Sequence, residues 1–298
     1  MGKTILLAGG TGLIGSRLAE ILHEQGYTVR VLSRSPKGEG QFAWNPAAAS
    51  LDDTALQGVD IVVNLAGAGI ADKRWTADRK RELVDSRVQS ARTLRDAFIR
   101  TGFRPKAYLS ASAIGYYGNS GERVMTETDA PVDSNFLVEC SQKWEQAADE
   151  VAAVGIRTLK FRIGIVLAKE GGALPEIVKP LRFGIGTYFA DGQAWWSWVH
   201  LDDVCRMFVW AIENQQIEGV FNAVAPNPVR GIELVKATAK AMRQPAVFVP
   251  APAFTLQIAL GEMSAVVLNS NHISAEKILR TGFEFRYPEL EGALEAIF

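Results

Sequence analysis

The sequence predicts an α/β protein built on a doubly wound parallel sheet, and two observations lead to this fold class. First, five apolar, strand-like runs alternate with segments of helical spacing up to about residue 168, a pattern typical of a parallel sheet with helices on both faces. Second, the first run, residues 5–7, leads at once into a glycine-rich turn at residues 9–15 and then into a helix that ends before Gly26.

The glycine-rich turn at residues 9–15 is typical of a dinucleotide site. A strand before it and a helix after it supply the context that this motif requires. The glycines let the backbone approach a pyrophosphate, and the start of the helix presents unpaired N–H groups and a partial positive charge to that anion. The predicted contacts in this turn are Gly9, Thr11, Gly12, Leu13, Ile14 and Gly15.

The second strand, residues 28–32, ends at Ser33 and Arg34, where such a fold meets the adenosine ribose. An acidic residue here is typical of NAD sites, whereas an Arg accommodates the 2′-phosphate of NADP. Arg34 lies 34 − 15 = 19 positions after Gly15, and its guanidinium can form forked hydrogen bonds to phosphate. The sequence therefore favours NADP over NAD, with a solvated loop arginine as the alternative.

The third strand, residues 60–63, is followed by small residues at 64–68 that would let a cofactor approach the backbone. A simple turn is the alternative, but in register with the first two strands this segment would share their crevice. A charged helix over residues 76–100 comes next and has one apolar stripe. Acidic residues are interspersed with its Arg and Lys, so we interpret the charge as a solvated face and not as a nucleic-acid site.

The fourth strand, residues 107–110, opens onto a stretch that carries three candidate catalytic hydroxyls, those of Ser112, Tyr116 and Tyr117. A hydroxyl at the carboxyl end of a strand can hydrogen-bond a developing alkoxide or transfer a proton. A polar loop with two packed tyrosines is the alternative interpretation. A helix over residues 136–154 and a fifth strand over residues 157–167 complete the alternation.

The alternation ends near residue 170, where glycine and proline become frequent. We therefore predict two interleaved units: a nucleotide-binding domain over residues 1–168 and a smaller C-terminal α+β substrate lobe over residues 169–298. A strand predicted over residues 219–224 falls in this lobe. No internal repeat or low-complexity tract is present.

Three tryptophans in four positions precede His200 and supply a large apolar surface. They could form a pocket wall, or they could pack between the two lobes. Trp196, Trp198 and His200 are the candidate substrate contacts, although His200 need not act in catalysis. Asp202 could cap the helix that follows.

Composition and charge exclude several classes of protein. Hydrophobic residues make up 48% of the chain and charged residues 22%, and the formal net charge is −1, which gives no reason to expect nucleic acid or an acidic membrane as partner. No apolar run reaches the length of about eighteen residues that a transmembrane helix needs. The first strand starts at once, leaving no room for a signal peptide, and Cys140 and Cys205 lack metal-ligand spacing. We expect a cytoplasmic protein without a metal that binds a small molecule; homo-oligomer formation stays open.

Motifs along essentially the whole chain resemble the extended short-chain dehydrogenase/reductases. The glycine turn, the 64–67 turn and the 199–203 stretch carry this resemblance, and residues 73–75, 112–118, 144–145, 197–200 and 282–285 extend it to the atypical, YfcH-like epimerase family proteins. The resemblance implies a Rossmann fold and NADP(H) as cofactor. The residues it implies as cofactor contacts are Ser33, Arg34, Leu65, Ala66, Gly67, Glu82, Arg87 and Val166.

The helix over residues 136–154 departs from the superfamily pattern. Most members use a Tyr-x-x-x-Lys pair, in which the lysine lowers the pKa of the tyrosine that transfers the proton. Counting back four positions from Lys143 gives Glu139, and anchoring on Glu145 places Leu137 and Ser141 at the positions of the pair. Neither register restores it, so Tyr116 or Tyr117, with Ser112, is the best substitute.

Two hypotheses for function remain open. One is an NADP-dependent oxidoreductase or epimerase acting on a carbonyl or nucleotide-sugar-like substrate, in which a hydroxyl from residues 112–117 moves the proton. The other is a non-catalytic module that senses NADP(H) or binds another protein. The missing Tyr-x-x-x-Lys pair favours the second, and the tryptophan cluster favours the first; a nucleic-acid-binding role is a distant third.

Overall fold

The computed structural model describes residues 2–298; residue 1, where the predicted nucleotide-binding domain starts, lies outside the described residues. The strands are β1 (Thr4–Ala8), β2 (Thr28–Ser33), β3 (Gln41–Asn45), β4 (Ser50–Leu51), β5 (Ile61–Asn64), β6 (Ala107–Ala113), β7 (Val124–Met125), β8 (Thr158–Ile163), β9 (Ile165–Ala168), β10 (Gly171–Gly172), β11 (Ile185–Phe189), β12 (Trp195–Trp196), β13 (Trp198–His200), β14 (Gly219–Ala223), β15 (Val229–Arg230), β16 (Val247–Ala251) and β17 (His272–Ile273). The α-helices are α1 (Leu13–Glu24), α2 (Ala77–Thr101), α3 (Phe136–Ala152), α4 (Leu174–Leu181), α5 (Leu201–Glu213), α6 (Gly231–Ala241), α7 (Ala253–Leu260), α8 (Ala265–Leu268), α9 (Glu276–Leu279) and α10 (Leu290–Ile297).

The large sheet confirms the predicted fold class. Its eight strands lie in the order β14-β8-β6-β5-β1-β2-β3-β4. Every neighbouring pair is parallel except β3 and β4. The chain winds outward from β1 in both directions, so the strand order reverses between β1 and β5. In such sheets a ligand binds in the crevice beyond the carboxyl ends of the strands at this reversal.

The central strands are buried because helices cover both faces of the sheet. Ile5 and Leu7 of β1 belong to the same core cluster as side chains of α1 and α5. Leu6 and Ala8, which point to the opposite face, pack with side chains of α2 and α3. This two-sided burial explains why the strands read as continuous apolar runs and not as alternating ones.

The predicted fifth strand is wrong in one respect, because Gly164 divides residues 157–167 into two strands. β8 stays in the large sheet, whereas β9 leaves it and pairs in parallel with β13. A Cβ atom on Gly164 would lie 2.4 Å from the carbonyl oxygen of Ser197, so only glycine lets the two segments approach this closely. Ile165 N donates a hydrogen bond of 2.9 Å to that same oxygen.

The chain returns to the large sheet after the predicted boundary at residue 168. β14, which the sequence placed in the C-terminal lobe, pairs in parallel with β8 and forms one edge of the large sheet. The boundary itself stays a prediction. A third core cluster, with Trp196, Trp198 and Leu234 among its members, lies in the C-terminal part. Residues 2–298 include no helix with both the length and the apolar character that crossing a membrane would require.

Candidate functional site

The glycine turn between β1 and α1 has the geometry of an anion cradle. Gly9 has a φ of 81°, and a Cβ atom there would lie 2.7 Å from the carbonyl carbon of Leu65. A Cβ on Gly15 would lie 2.1 Å from the oxygen of Gly9, whereas one on Gly12 would meet nothing closer than 3.5 Å. Gly12 is the N-cap of α1 and supplies no side-chain hydrogen bond. The first turn of α1 therefore offers its N–H groups and open space to a pyrophosphate, and the residues present fit that group.

Thr11, Leu13 and Ile14 complete the turn in different surroundings. Thr11 is exposed beside the cradle, and Leu13 and Ile14 are half-buried. The Leu13 side chain packs on β10, where a Cβ on Gly171 would lie 3.0 Å from its methyl carbons. The short β10 strand thus borders the start of α1.

Arg34 stands exposed at the end of β2, and within residues 2–298 its guanidinium forms neither a hydrogen bond nor an ion pair. Ser33 is half-buried, and its Oγ accepts a 3.2 Å hydrogen bond from Ser35 N. The pKa of Glu82 lies below its ordinary value, mainly because Arg79 donates a hydrogen bond to it, with smaller contributions from the charges of Lys73 and Arg34. The charge of Arg34 therefore lies close enough to Glu82 to contribute to this lowering of its pKa.

The turn after β5 lies directly against the glycine turn. Leu65 N donates a 2.8 Å hydrogen bond to the oxygen of Ala8, and Ala66 N donates one of 3.1 Å to Asn64 Oδ1. Leu65 and Ala66 are half-buried and Gly67 is exposed. This segment is therefore held at the switch point of the sheet, as the sequence predicts.

Arg87 forms the back of this turn. A Cβ on Gly67 would lie 3.2 Å from Arg87 Cγ, and Arg87 Nη1 donates a 2.8 Å hydrogen bond to the oxygen of Leu83. The guanidinium lies 4.8 Å from the ring centroid of Trp144, and burial lowers the pKa of Arg87. Val166, the last of the implied cofactor contacts, is half-buried in β9 and pairs with Val199.

Two of the three candidate catalytic hydroxyls already donate hydrogen bonds to other side chains of the protein. Ser112 is 2% exposed, and its Oγ donates a 2.7 Å hydrogen bond to Glu145 Oε1. Tyr117 is 0% exposed, and its hydroxyl donates a 2.6 Å hydrogen bond to Asn222 Oδ1. Burial raises the pKa of Tyr117 to about 12. This burial and this hydrogen bond do not favour the catalytic role predicted for Tyr117, which stays a prediction.

Tyr116 is the candidate hydroxyl that remains available. Its side chain is half-buried, and within residues 2–298 its hydroxyl has no hydrogen-bond partner. The Arg162 guanidinium carbon lies 3.4 Å from its ring centroid. Glu145 in turn binds Arg162 through contacts of 2.7 Å to Nε and 2.9 Å to Nη2. This buried network, named here the Arg162–Glu145 pair, therefore supports the Tyr116 ring from below.

The helix positions that carry the Tyr-x-x-x-Lys pair in most of the superfamily face this same turn. A Cβ on Gly115 would lie 3.3 Å from Leu137 Cβ and 3.7 Å from Ser141 Oγ. Lys143, by contrast, is exposed and pairs with Glu139 at 2.6 Å. In the register anchored on Glu145, an apolar side chain and a hydroxyl therefore face the Tyr116 turn, whereas in the register anchored on Lys143 both positions are exposed.

The three predicted substrate contacts differ in what they can touch. Trp198 is 0% exposed, and its Nε1 donates a 2.9 Å hydrogen bond to the oxygen of Asn227. His200 is buried, which lowers its pKa, and its Nδ1 accepts a 3.1 Å hydrogen bond from Asp202 N at the start of α5. Both side chains are therefore bonded within the fold, and their roles as substrate contacts stay predictions. His200, not Asp202, caps α5. Trp196 is 6% exposed and lines a cavity in the C-terminal part of the chain.

Arg162 and Glu145 are the parts of this site that sequence reasoning missed. Arg162 lies in β8, whose other residues are buried like it. A cation in a strand predicted to be buried on both faces is a signal, since such a charge needs a partner. The partner could not be identified from the sequence because it lies on a helix.

The two cysteines lie in the buried core of the protein. Cys140 and Cys205 are both buried and unpaired, and burial raises the pKa of each thiol. In the part of the chain that the structure describes, no cluster of three or more His, Cys, Asp or Glu side chains is arranged to hold a metal ion.

The parallel sheet and the glycine turn define a nucleotide-cofactor-binding protein of the extended short-chain dehydrogenase/reductase class. Residues 5–223 match the NAD dependent epimerase/dehydratase family, and residues 251–297 match a domain of unknown function, DUF1731. The chain belongs to this epimerase/dehydratase family, in its atypical branch of epimerase family proteins. Epimerase family protein YfhF of Bacillus subtilis (strain 168) is 35% identical to it over 298 residues, covering 98% of this chain and 97% of the relative.

Solved structures show the same relationship. The human epimerase family protein SDR39U1 (isoform 2) with NADPH is 30% identical, with a TM-score of 0.89 and coverage of 99% of this chain and 98% of that one. The UDP-glucose 4-epimerase of Thermus thermophilus in complex with NAD is 20% identical, with a TM-score of 0.78 and coverage of 99% and 97%. At that identity the second likeness concerns the fold alone.

Proposed function

We propose that the chain binds NADP(H) and acts as an oxidoreductase or epimerase on a small carbonyl substrate. The observation that carries the cofactor choice is the exposed guanidinium of Arg34, which has no hydrogen-bond or ion-pair partner within residues 2–298. A 2′-phosphate offers this fork two acceptor oxygens, which the ribose hydroxyl of NAD does not. The NADPH bound to human SDR39U1 supports the same choice.

The cofactor and the residues of the chain would have different roles in the reaction. NADP(H), when bound, would supply or accept a hydride at the substrate carbon. Tyr116 Oη would give a proton to the substrate oxygen or take it back, because it is the one candidate hydroxyl free of a protein partner within residues 2–298. The Arg162–Glu145 pair would fix the ring of Tyr116, and the N–H groups at the start of α1 would hold the pyrophosphate.

The cofactor assignment is tested by titrating the protein with NADPH and with NADH while following nicotinamide fluorescence. We expect Arg34→Ala to weaken NADPH binding by about tenfold to a hundredfold, the loss expected for a charge-assisted hydrogen bond, and to leave NADH binding unchanged. Lys37→Ala is the matched control, since Lys37 is an exposed cation of the same loop. Equal losses for the two variants, or none for Arg34→Ala, would refute the assignment.

A second candidate function is supported by the committed hydroxyls. Ser112 and Tyr117 are tied to Glu145 and Asn222, and Leu137 and Ser141 stand in place of the usual pair. A protein that senses NADP(H) without turnover needs only the glycine turn and Arg34. NADPH binding without turnover of any carbonyl compound would favour this candidate.

A further inference from the structure

The two-stranded sheet of β11 and β16 leaves one of its faces uncovered. Its strands pair in parallel, with Gly186 opposite Phe248. A Cβ atom on Gly186 would lie 2.4 Å from Phe248 Cδ1, and Phe248 packs against the third core cluster, so these two positions belong to the inner face. Ile185, Val247 and Val249 alternate with them along the strands and therefore point outwards.

The outer face is apolar and carries no charge. Its exposed large side chains, named here the β11–β16 patch, are Phe183, Ile185, Val247 and Val249. Two more, Phe254 and Ile258, follow one helical turn apart on α7, a helix in which no residue is buried. Six of the eleven large apolar side chains that are exposed within residues 2–298 thus lie in residues 183–190 and 244–261, and neither segment contains Asp, Glu, Lys, Arg or His. Exposed apolar side chains gathered in this way are typical of an interaction surface.

Opposite charges stand at the two ends of the patch. Arg182 and Arg243 are exposed shortly before β11 and β16 begin, and Asp191 is exposed shortly after β11 ends. None of the three forms an ion pair within residues 2–298. Arg182 lies 187 − 182 = 5 positions before Thr187, and Asp191 lies 191 − 187 = 4 positions after it. The two charges are therefore placed almost symmetrically about Thr187.

A second copy of the chain would match this arrangement. Two identical faces pack together about a twofold axis that lies in the plane between them. An axis along the strands would set Arg182 and Arg243 close to the same cations of the other copy, which is unfavourable. An axis across the strands at Thr187 would instead bring Arg182 to the partner's Asp191, and would lay the apolar side chains between them against one another.

Two other ways of covering the patch conflict with the residues present. Addition of a strand at the free edge of β16 would require backbone donors, and Pro250 in that strand has no N–H group. A lipid surface with anionic headgroups would pair with Arg182 and Arg243 but would set Asp191 against groups of like charge.

We propose that the β11–β16 patch is the interface of a symmetric homodimer, in which the two sheets pack face to face with antiparallel strands. Arg182 of each copy pairs with the partner's Asp191 at the two ends, and apolar side chains leave water in between. This interface does not depend on the proposed function, since none of its residues is among the predicted cofactor or substrate contacts.

The first test is sedimentation velocity of the full chain at micromolar concentrations. The wild type should sediment as a dimer, and Val247→Lys should weaken the dimer by about a hundredfold or more, because at a twofold interface the lost apolar contact occurs twice. Ile99→Lys is the matched control, since Ile99 is an exposed isoleucine on α2 outside the patch, and it should leave the dimer intact. Thermal unfolding checks that each variant is folded.

The second test examines the antiparallel arrangement through its charges. Arg182→Glu and Asp191→Arg should each weaken the homodimer by about tenfold, because each places like charges at both ends of the interface. An equimolar mixture of the two variants should restore the dimer, since every end pair in the heterodimer then joins opposite charges.

Three results would overturn the proposal: a wild type that sediments as a monomer throughout the micromolar range, a dimer that Val247→Lys leaves intact, or a mixture of the charge variants that dimerises no better than either alone. In the first case, cosedimentation of the wild type with phosphatidylserine vesicles, lost in Arg182→Glu, would assign the patch to a lipid surface instead.

Discussion

Removing Glu145 should destabilise the protein far more than removing any exposed carboxylate, because Glu145 holds a buried charge in place. The side chains of Arg162 and Glu145 are 4% and 7% exposed. Burial works to lower the pKa of Arg162, but the hydrogen bonds and charge of Glu145 raise it above its ordinary value. Arg162 therefore stays charged, and it depends on Glu145 for that charge to be tolerated.

The magnitude follows from what Glu145→Ala leaves behind. The variant strips Arg162 of both carboxylate oxygens and Ser112 of its acceptor. Lys160 Nζ, 3.8 Å from Glu145, keeps Asp149 at 2.6 Å, so its charge stays paired. Breaking a buried ion pair from one side costs about 3–5 kcal/mol, and we expect a loss of that size in the free energy of unfolding, measured in urea by circular dichroism.

The matched control lies on the same helix. Glu139 pairs with Lys143, but both side chains are about half exposed, so Glu139→Ala should cost only about 0.3–0.5 kcal/mol. Replacing both members of the buried pair, as in Glu145→Leu with Arg162→Met, should recover most of the loss, since an apolar pair leaves no buried charge. Equal costs for Glu139→Ala and Glu145→Ala, or no recovery in the double variant, would contradict the buried-charge explanation.

Two further predictions concern catalysis and pH. Tyr116→Phe should lower turnover of a reacting carbonyl compound by about a hundredfold or more, which is the usual contribution of a positioned proton donor. Tyr117→Phe should leave turnover largely intact. A larger loss of the steady-state rate in Tyr117→Phe than in Tyr116→Phe would refute the assignment to Tyr116. Hydrogen bonds from Arg230 and Trp195 lower the pKa of Glu122 to about 2, from an ordinary value of 4.5. The stabilisation from this pair should therefore be complete above about pH 4.5 and be lost as the pH falls towards about 2. The free energy of unfolding, measured across that pH range, should fall in the wild type by an amount that is absent in Glu122→Gln. Identical pH profiles for the two proteins would show that Glu122 makes no such contribution.

The parts of the fold that the sequence predicted are those set by local pattern. β1, the glycine turn and α1 follow from an apolar run, close glycines and helical spacing within residues 4–24. β3 and β4, at the edge of the sheet, were not predicted, although Phe42 and Trp44 of β3 alternate along the strand and pack against the core. The division of the fifth strand at Gly164 depends on a carbonyl oxygen in residue 197, and no local pattern reports a contact across that distance.

The same distinction applies to the candidate site. Tyr116 and Tyr117 are identical residue types in adjacent positions, so the sequence had no means of choosing between their hydroxyls. The choice depends on Asn222, which reaches Tyr117 from β14 and ties up its hydroxyl. Likewise, the tryptophan cluster indicated an apolar surface, but it could not show that Trp196 and Trp198 are both buried in the third core cluster, with Trp196 also lining a cavity.

The source of positive charge at the turn that carries Tyr116 connects the missing helix pair to the residues that the sequence did not predict. In most of the superfamily the cation beside the reactive tyrosine comes from a helix, whereas here Leu137 and Ser141 supply none. Arg162 instead brings a guanidinium to the face of Tyr116 from β8, and Glu145 holds it there from α3. The backbone of β8 is hydrogen-bonded to a strand on each side, β14 and β6, and the two hydrogen bonds to Glu145 hold the Arg162 side chain. We therefore interpret the absent Tyr-x-x-x-Lys pair and the buried Arg162–Glu145 pair as two parts of one rearrangement, in which the sheet takes over from the helix the placement of charge at this turn.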